Sequence, residues 1–344
     1  MKNISLTFSS YNLKFKNPFE SSKGSLNERK GFLIHLKNNS GKTGVGDAAP
    51  FPELGSETYS DAENELKKLK LNIKINFHDI ESSITQSLSS LDKFPTLHHG
   101  VEQALINLIS KENNLSINEI LNESSTNRIN VNAVIGFLTP DESAEEAQKL
   151  IRQGFTTLKV KAGRDKFEDD LNCLKAIRES AGTKIKLRVD ANGKWELNEA
   201  IKNLKRMKLI NPEYVEQPLN GLANFIKLKN KTGVPLAVDE SIRTIKDAVE
   251  FIQHKAVSFV ILKPMMLGGI IPVLNIKNFA EQNGLKVVIT SSFESVVGRS
   301  MAIFAASTVK EQLAHGLATG NYFEKDLFAD PYPVKNGMIS LEAK

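Results

Sequence analysis

Thr156-Thr157-Leu158-Lys159-Val160-Lys161-Ala162-Gly163 is the stretch on which the reading of this chain turns. Two lysines stand two residues apart among apolar neighbours, so on a strand both ammonium groups leave the same face. An amphipathic helix precedes the stretch and another follows it, which makes it an interior strand of an α/β fold. Two inward lysines are costly to bury unless acids or an anionic ligand meet them. Downstream, carboxylates arrive near the ends of successive apolar strands. Together these facts mark an active site.

Outward from that strand, the same grammar repeats. Residues 129–135 read as a strand, and Thr139-Pro140-Asp141-Glu142 opens a helix with a cap, a first-position proline and early acids. That helix buries Ala144, Ala147, Leu150 and Ile151 and ends at Gly154. The next helix carries Phe167, Leu171, Leu174 and Ile177 and ends near Gly182; Asn198 is expected to cap another, with Ile201, Leu204 and Met207. Strands are expected over residues 184–190, 214–216, 236–239, 257–262 and 287–289. Strand–helix units repeating every roughly 25 residues predict a parallel sheet, and this many predict closure into a barrel. A doubly wound sheet is the competitor, but it wants a glycine-rich phosphate loop after its first strand, and none stands there.

The first third reads differently. Residues 4–15 and 31–36 alternate apolar with polar, and Asn38-Asn39-Ser40-Gly41 is a hairpin turn leading into Thr43-Gly44-Val45-Gly46. Residues 16–30 read as a polar loop, and residues 48–52 as a second loop with two prolines and one exposed aromatic candidate, Phe51. Helical spacing returns over residues 60–70 and 97–112, the pattern of a separate α+β domain, with the polar residues 122–127 as its boundary.

Composition sets the outer limits. With 344 residues, 40% hydrophobic and 25% charged, the chain holds a large core: two domains, or one barrel with an appendage. The formal charge of +5 is spread out, with no arginine-rich block, so no nucleic-acid partner is expected. The single cysteine, Cys173, excludes an intramolecular disulfide or a cysteine-based metal cluster and reads as a small core residue. His35, His78, His98, His99, His254 and His315 read mostly as surface or structural groups. No window approaches the roughly 18 to 20 apolar residues of a membrane span. Met1-Lys2-Asn3-Ile4-Ser5-Leu6 lacks the apolar run of a signal peptide, so a cytoplasmic location is expected. Monomer and homo-oligomer are equally compatible with the sequence.

Asp190, Glu216 and Asp239 each end a strand, one unit of roughly 25 residues after another. In a parallel barrel such positions meet at the C-terminal mouth, where barrel enzymes carry their chemistry. Any one alone is equally a cap or turn residue, as in Asp190-Ala191-Asn192-Gly193. Three together repel unless a divalent cation sits among them, and oxygen-only ligands predict a hard ion, Mg2+ with Mn2+ as the alternative. Lys159 and Lys161 lie one unit before Asp190, and Lys263 one unit after Asp239, so lysines flank the metal on both sides. A desolvated lysine beside other cations and a metal is expected to have a depressed pKa, which suits a general base near neutrality. The metal and the other ammonium groups then stabilise charge developing on a small carboxylate substrate. The constellation suits removal of a proton next to a carboxylate, giving an enediolate.

Lys159-Val160-Lys161, the acids Asp190, Glu216 and Asp239, and Lys263 resemble the muconate-lactonizing branch of the enolase superfamily. The resemblance spans essentially the whole chain; residues 44–52 are similar to the Gly-Glu-x-x-Pro segment of that family's capping domain, with Asp47 in place of the glutamate. It implies a modified TIM barrel, (β/α)7β, over residues 126–315. An α+β capping domain over residues 1–125 would be completed by a C-terminal segment, residues 316–344, and its two loops would close over the substrate and set specificity.

Within that branch, Ile289-Thr290-Ser291-Ser292-Phe293-Glu294-Ser295, His315-Gly316-Leu317-Ala318-Thr319-Gly320 and Asn130-Val131-Asn132-Ala133 resemble the o-succinylbenzoate synthase family, its cyanobacterial type included. This implies a magnesium-dependent dehydration of 2-succinyl-6-hydroxy-2,4-cyclohexadiene-1-carboxylate to o-succinylbenzoate, in menaquinone or phylloquinone biosynthesis. Lys161 would take the proton and then assist departure of the hydroxyl, Lys159 would neutralise the enediolate, and Lys263 would stabilise it from the opposite face. Amides and hydroxyls at Ser291 and Ser292 are candidates for the succinyl carboxylate, and Asn192 for a further substrate contact. The rival is an N-acylamino acid racemase or dipeptide epimerase using Lys161 and Lys263 as acid and base. Dipeptide epimerases of this branch usually carry Asp-x-Asp after the eighth strand, where this chain has Ala318-Thr319-Gly320. A non-catalytic basic binding protein, the rival of another class, has no need of three acids and three lysines at one mouth.

Overall fold

The structure is a computed structural model that describes residues 4–21 and 24–341. It begins with a three-stranded antiparallel sheet, β1 (Ser5–Ser21), β2 (Gly24–Lys37) and β3 (Thr43–Ala48). β1 and β2 pair from Ser5–Lys37 to Lys14–Glu28 and, after a register shift, on to Ser21–Gly24. The expected polar loop over residues 16–30 is therefore strand on both sides of residues 22–23, which lie outside the described residues. Lys16-Asn17-Pro18 and Ser25-Leu26-Asn27-Glu28-Arg29-Lys30 are mostly polar and lack the apolar alternation that marks a half-buried strand.

Four helices follow, α1 (Tyr59–Lys68), α2 (Ile80–Leu88), α3 (Pro95–Asn113) and the single turn α4 (Ile117–Ile120). Sequence reading missed α2, whose serines and threonine weaken the helical signal. α3 lies directly on β3 because both strand glycines permit it. A Cβ at Gly44 would stand 1.9 Å from Ala104 O, and one at Gly46 1.9 Å from Gly100 O. The buried core there runs from Phe32, Ile34 and Leu36 to Leu97, Val101 and Leu105.

From Arg128 the expected alternation appears: β4 (Arg128–Val131), β5 (Ala133–Ile135), α5 (Pro140–Arg152), β6 (Thr157–Lys161), α6 (Phe167–Ala181), β7 (Lys186–Asp190), α7 (Leu197–Met207), β8 (Tyr214–Glu216) and α8 (Leu222–Leu228). It continues through β9 (Leu236–Val238), α9 (Ile245–Gln253), β10 (Phe259–Leu262), α10 (Ile270–Gln282), β11 (Lys286–Ile289), α11 (Val296–Ser307) and β12 (Ala314–His315), with β13 (Met338–Ser340) near the end. Thr139 caps α5 in a reciprocal capping box with Glu142, a device contributing about 1 kcal/mol. α7 instead starts after Glu196, which places Asn198 in its first turn rather than at the cap.

β5 to β11 form one parallel sheet in chain order. It curls back on itself: β12 runs parallel to β4, Thr290 bridges to Gly316, and Asn132 N, between β4 and β5, donates to His315 O at 3.0 Å. This is the (β/α)7β arrangement, with the inward side chains Tyr214, Ala237, Phe259, Ile261, Val288 and Leu313 as its own inner core. β13 pairs with β4 on the other edge, and Phe323 bridges back to Phe15 of β1. Cys173 is buried in α6, its Sγ 3.2 Å from Leu138 O, a small core residue as expected. His98, His99 and His315 are buried and engage Gly268 O, Asp47 O and Ile289 N respectively, all structural contacts. Among the described residues, no helix is long and apolar enough to cross a membrane.

α3 also reaches the barrel through Glu102, which is fully buried and accepts Ile270 N at 2.5 Å and Ile271 N at 3.3 Å at the start of α10. Burial dominates the favourable amides and pushes its carboxyl up to about 8. A carboxyl raised on folding gives stability that is fully present below its unfolded pKa and is lost as pH rises through the folded one. Glu294, pushed up to about 7, and Asp47, to about 6, act with the same sign. The expected outcome is a stability, and with it a melting temperature, that falls between pH 5 and 8, with Glu102→Gln shrinking the stability loss by on the order of a few kcal/mol. Parallel Tm–pH curves for the two proteins would remove Glu102 from this account.

Candidate active site

The lysine strand β6 points Lys159 and Lys161 into the barrel, where each finds acids on the neighbouring strands. Lys161, Asp190 and Glu216 are register partners across β6, β7 and β8. Glu216 pairs with Ala237, so Asp239 stands two residues further along, the stagger that barrel closure imposes. Lys159 Nζ lies 2.9 Å from Asp190 Oδ2 and 2.7 Å from Glu216 Oε1. Lys161 Nζ is 2.8 Å from Asp190 Oδ2 and 2.9 Å from Asn192 Oδ1. Lys263 Nζ is ion-paired with Asp239. The three lysines and three acids therefore share one mouth.

Their electrostatics follow from these contacts. Burial alone would depress Lys159, but Asp190 and Glu216 outweigh it and hold its pKa well above the ordinary lysine value. Lys263 is raised likewise, burial being outweighed by Asp239 and Glu240. The depression expected from sequence is that of a lysine beside other cations and a bound metal; in the structure the Lys159 and Lys263 ammonium groups face carboxylates first. Burial also works against the charge on Asp190, yet Lys159 and Lys161 keep it well below the usual carboxylate range. Glu216 is pushed up to about 8 by burial, which Lys159 only partly offsets.

As the side chains stand, the ammonium groups lie between the acids, and no three acid, imidazole or thiol groups among the described residues converge closely enough to ligate one ion. The donor set nonetheless suits a hard cation. It is oxygen-only, it sits on neighbouring strands about 4.8 Å apart, and Glu216 Oε2 is buried with no hydrogen-bond partner. A cation among Asp190, Glu216 and Asp239 would satisfy that oxygen.

Sequence reading left out the supports. Glu240 accepts Asn192 Nδ2 at 2.7 Å, so Asn192 is held between Glu240 and Lys161. Gln217, left-handed at φ +40°, accepts Asp239 N at 3.0 Å and donates to Ser241 Oγ at 2.6 Å, fixing the exit of β9. Both adjoin acids already singled out, which is the one signal that could have found them. Ser291 and Ser292 line the same cavity of about 630 Å3, covered by Phe51 and Leu54 from the N-terminal side and by Tyr322. Their amides are engaged, Ser291 N with Gly316 O at 3.1 Å and Ser292 N with Glu294. Of the hydroxyls, Ser291 Oγ bonds Thr319 Oγ1 at 2.6 Å, and Ser292 Oγ is buried without a partner.

A family model described as Enolase C-terminal domain-like matches residues 142–344, and one described as MenC, N-terminal domain matches residues 4–108. The chain is 28% identical to Protein PHYLLO, chloroplastic, of Arabidopsis thaliana, over 88% of its own length but only 20% of that protein's. It is 27% identical to the L-Ala-D/L-Glu epimerase of Bacillus subtilis, covering 100% of this chain and 95% of that one. It is 25% identical to the o-succinylbenzoate synthase of Bacillus subtilis, covering 98% and 91%. Among solved structures it resembles a dipeptide epimerase from Enterococcus faecalis complexed with Mg and a dipeptide, at TM-score 0.87 and 23% identity over 98% of this chain and 96% of that one. By the matched barrel and its fold, this chain belongs to the enolase superfamily.

Proposed function

We propose that the protein is an o-succinylbenzoate synthase, a lyase that dehydrates 2-succinyl-6-hydroxy-2,4-cyclohexadiene-1-carboxylate in the cytoplasmic synthesis of menaquinone or phylloquinone. The observation that carries this reading over an epimerase is the cavity wall beyond β12, formed by Gly316, Ala318 and Thr319. A buried substrate ammonium needs an acid beside it, and this wall offers methyl and hydroxyl groups. The match to a MenC N-terminal domain and the relatives named o-succinylbenzoate synthase support the same reading.

Asp190, Glu216 and Asp239 would hold Mg2+, or Mn2+ in its place, which when bound neutralises a substrate carboxylate and withdraws charge from the adjacent carbon. Lys161 takes the proton from that carbon, its Nζ oriented by Asp190 and Asn192. As an ammonium it then delivers a proton to the departing hydroxyl. Lys159 and Lys263 stand on either side and stabilise the enediolate. Aromatisation supplies the driving force, so the protein need only lower the barrier to the enediolate.

One observation favours a second reading. Lys161 and Lys263 approach from opposite sides, paired with Asp190 and Asp239 respectively, which is what a two-base racemase of N-acylamino acids or a dipeptide epimerase needs. Ultraviolet-monitored conversion of the cyclohexadiene tests the first reading. Expected is fast aromatisation that a chelator abolishes and added Mg2+ restores. No conversion by folded, magnesium-loaded protein, together with α-deuterium exchange into N-acylamino acids or dipeptides, would replace it with the second.

A further inference from the structure

The loop between β11 and α11 brings Ser291 and Ser292 to the cavity, and the N-terminal sheet grips its far end. Phe293 in that loop holds φ +58°, left-handed backbone that a bulky residue adopts only when its surroundings force it. The force is visible on four elements. Arg29 of β2 donates Nε to Phe293 O at 3.4 Å, while its other nitrogens are tied to Pro50 O and Ala49 O at 2.8 Å each. Asp47 of β3 accepts both Ser295 N, at 3.0 Å, and Ser295 Oγ, at 2.6 Å, through Oδ2. Tyr11 of β1 donates to the other oxygen of Asp47 at 2.8 Å. From α3, Gln103 accepts Asp47 N at 3.0 Å and donates to Val297 O at 2.7 Å. At the near end of the loop, Ser292 Oγ is buried with no partner in a residue that lines the cavity. An orphaned hydroxyl there costs free energy until a ligand acceptor meets it.

We infer that Asp47 is a positioning residue for substrate recognition. By pinning Ser295 to the N-terminal sheet it holds Phe293 left-handed and sets the Ser291 and Ser292 hydroxyls toward the carboxylate at the far end of the substrate's acyl arm. The inference rests on the reading of those serines as the seat of the succinyl carboxylate. Asp47 touches no reacting atom. The sheet that covers the cavity thereby also sets its specificity.

The test compares kcat and KM for the succinyl substrate and for an analogue carrying a butanoyl arm, which lacks the distal carboxylate. Asp47→Ala is expected to raise KM for the succinyl substrate about 10- to 30-fold, with kcat within about threefold and KM for the butanoyl analogue within about twofold. Tyr11→Phe, which leaves the Ser295 bonds in place, moves the same ratio about threefold and keeps the comparison open if Asp47→Ala does not fold. Equal KM rises for both substrates would make Asp47 a merely structural group and overturn the inference. Ser292→Ala separates the two levels. If it leaves KM for the succinyl substrate unchanged, the serine seat fails and the inference with it. If it raises that KM while Asp47→Ala and Tyr11→Phe do not, the positioning role alone fails.

Discussion

Lys161→Ala is expected to lower kcat by about 10²–10⁴-fold, the usual worth of a positioned acid–base group, and to leave the protein folded. Folding should survive because Asp190 keeps a second cation: Lys159 Nζ remains 2.9 Å away when Lys161 is removed. Lys159→Ala lacks that protection, since it strips Glu216 Oε1 and one contact of Asp190 together. The comparison with Lys263→Ala decides between the two readings of the site. In the dehydration, Lys263 acts only through its charge, so its removal costs about 10²–10³-fold and proton removal persists. In a racemase each lysine serves one enantiomer, so each single variant would keep α-proton exchange on one hand of the substrate and lose it on the other. Rapid-quench aromatisation and single-enantiomer deuterium exchange on both variants read this out. Retention of full turnover by folded Lys161→Ala would end its role as the base.

The fold was legible where a residue pattern answers to local geometry. Lys159-Val160-Lys161 fixes its own parity on a strand, and Thr139 with Glu142 fixes a helix start whatever surrounds it. The acids at the ends of β7, β8 and β9 could be aligned because the strand–helix period is nearly constant. The part of β1 and β2 within residues 16–30 was not legible, because its mostly polar residues show no apolar alternation. Which charge a side chain meets first is likewise set by register, not by sequence spacing. Lys161 faces Asp190 across a single strand gap although 29 residues separate them. The Asp47–Ser295 contact, spanning 248 residues, leaves no trace in any window of the chain.

Arg188→Met should destabilise the protein by about 3 kcal/mol, the lower part of the range for breaking a buried ion pair. Arg188 points inward from β7, on the same face as Asp190, and is fully buried. Its Nε donates to Glu213 Oε2 at 2.6 Å, and its Nη1 to Ala314 O at 2.6 Å and to Asn132 Oδ1 at 3.2 Å. One guanidinium thus ties β7 to the start of β8, to β12 and to the junction of β4 and β5, the place where the barrel closes. Burial opposes its charge, but Tyr214 and Glu213 outweigh that and raise its pKa. Methionine fills much of the same volume, so the loss reports the orphaned acceptors rather than a cavity. Glu213 keeps Lys186 at 2.9 Å, which is why the loss stays at the lower end. Lys186→Met is the control: that lysine is half exposed, and its bond to Glu213 is worth less than about 1 kcal/mol. Urea titrations of both variants should show a large fall in midpoint for Arg188→Met and a small one for Lys186→Met. Equal falls would mean that the closure is held by backbone pairing and apolar packing alone, with the buried guanidinium a neutral passenger.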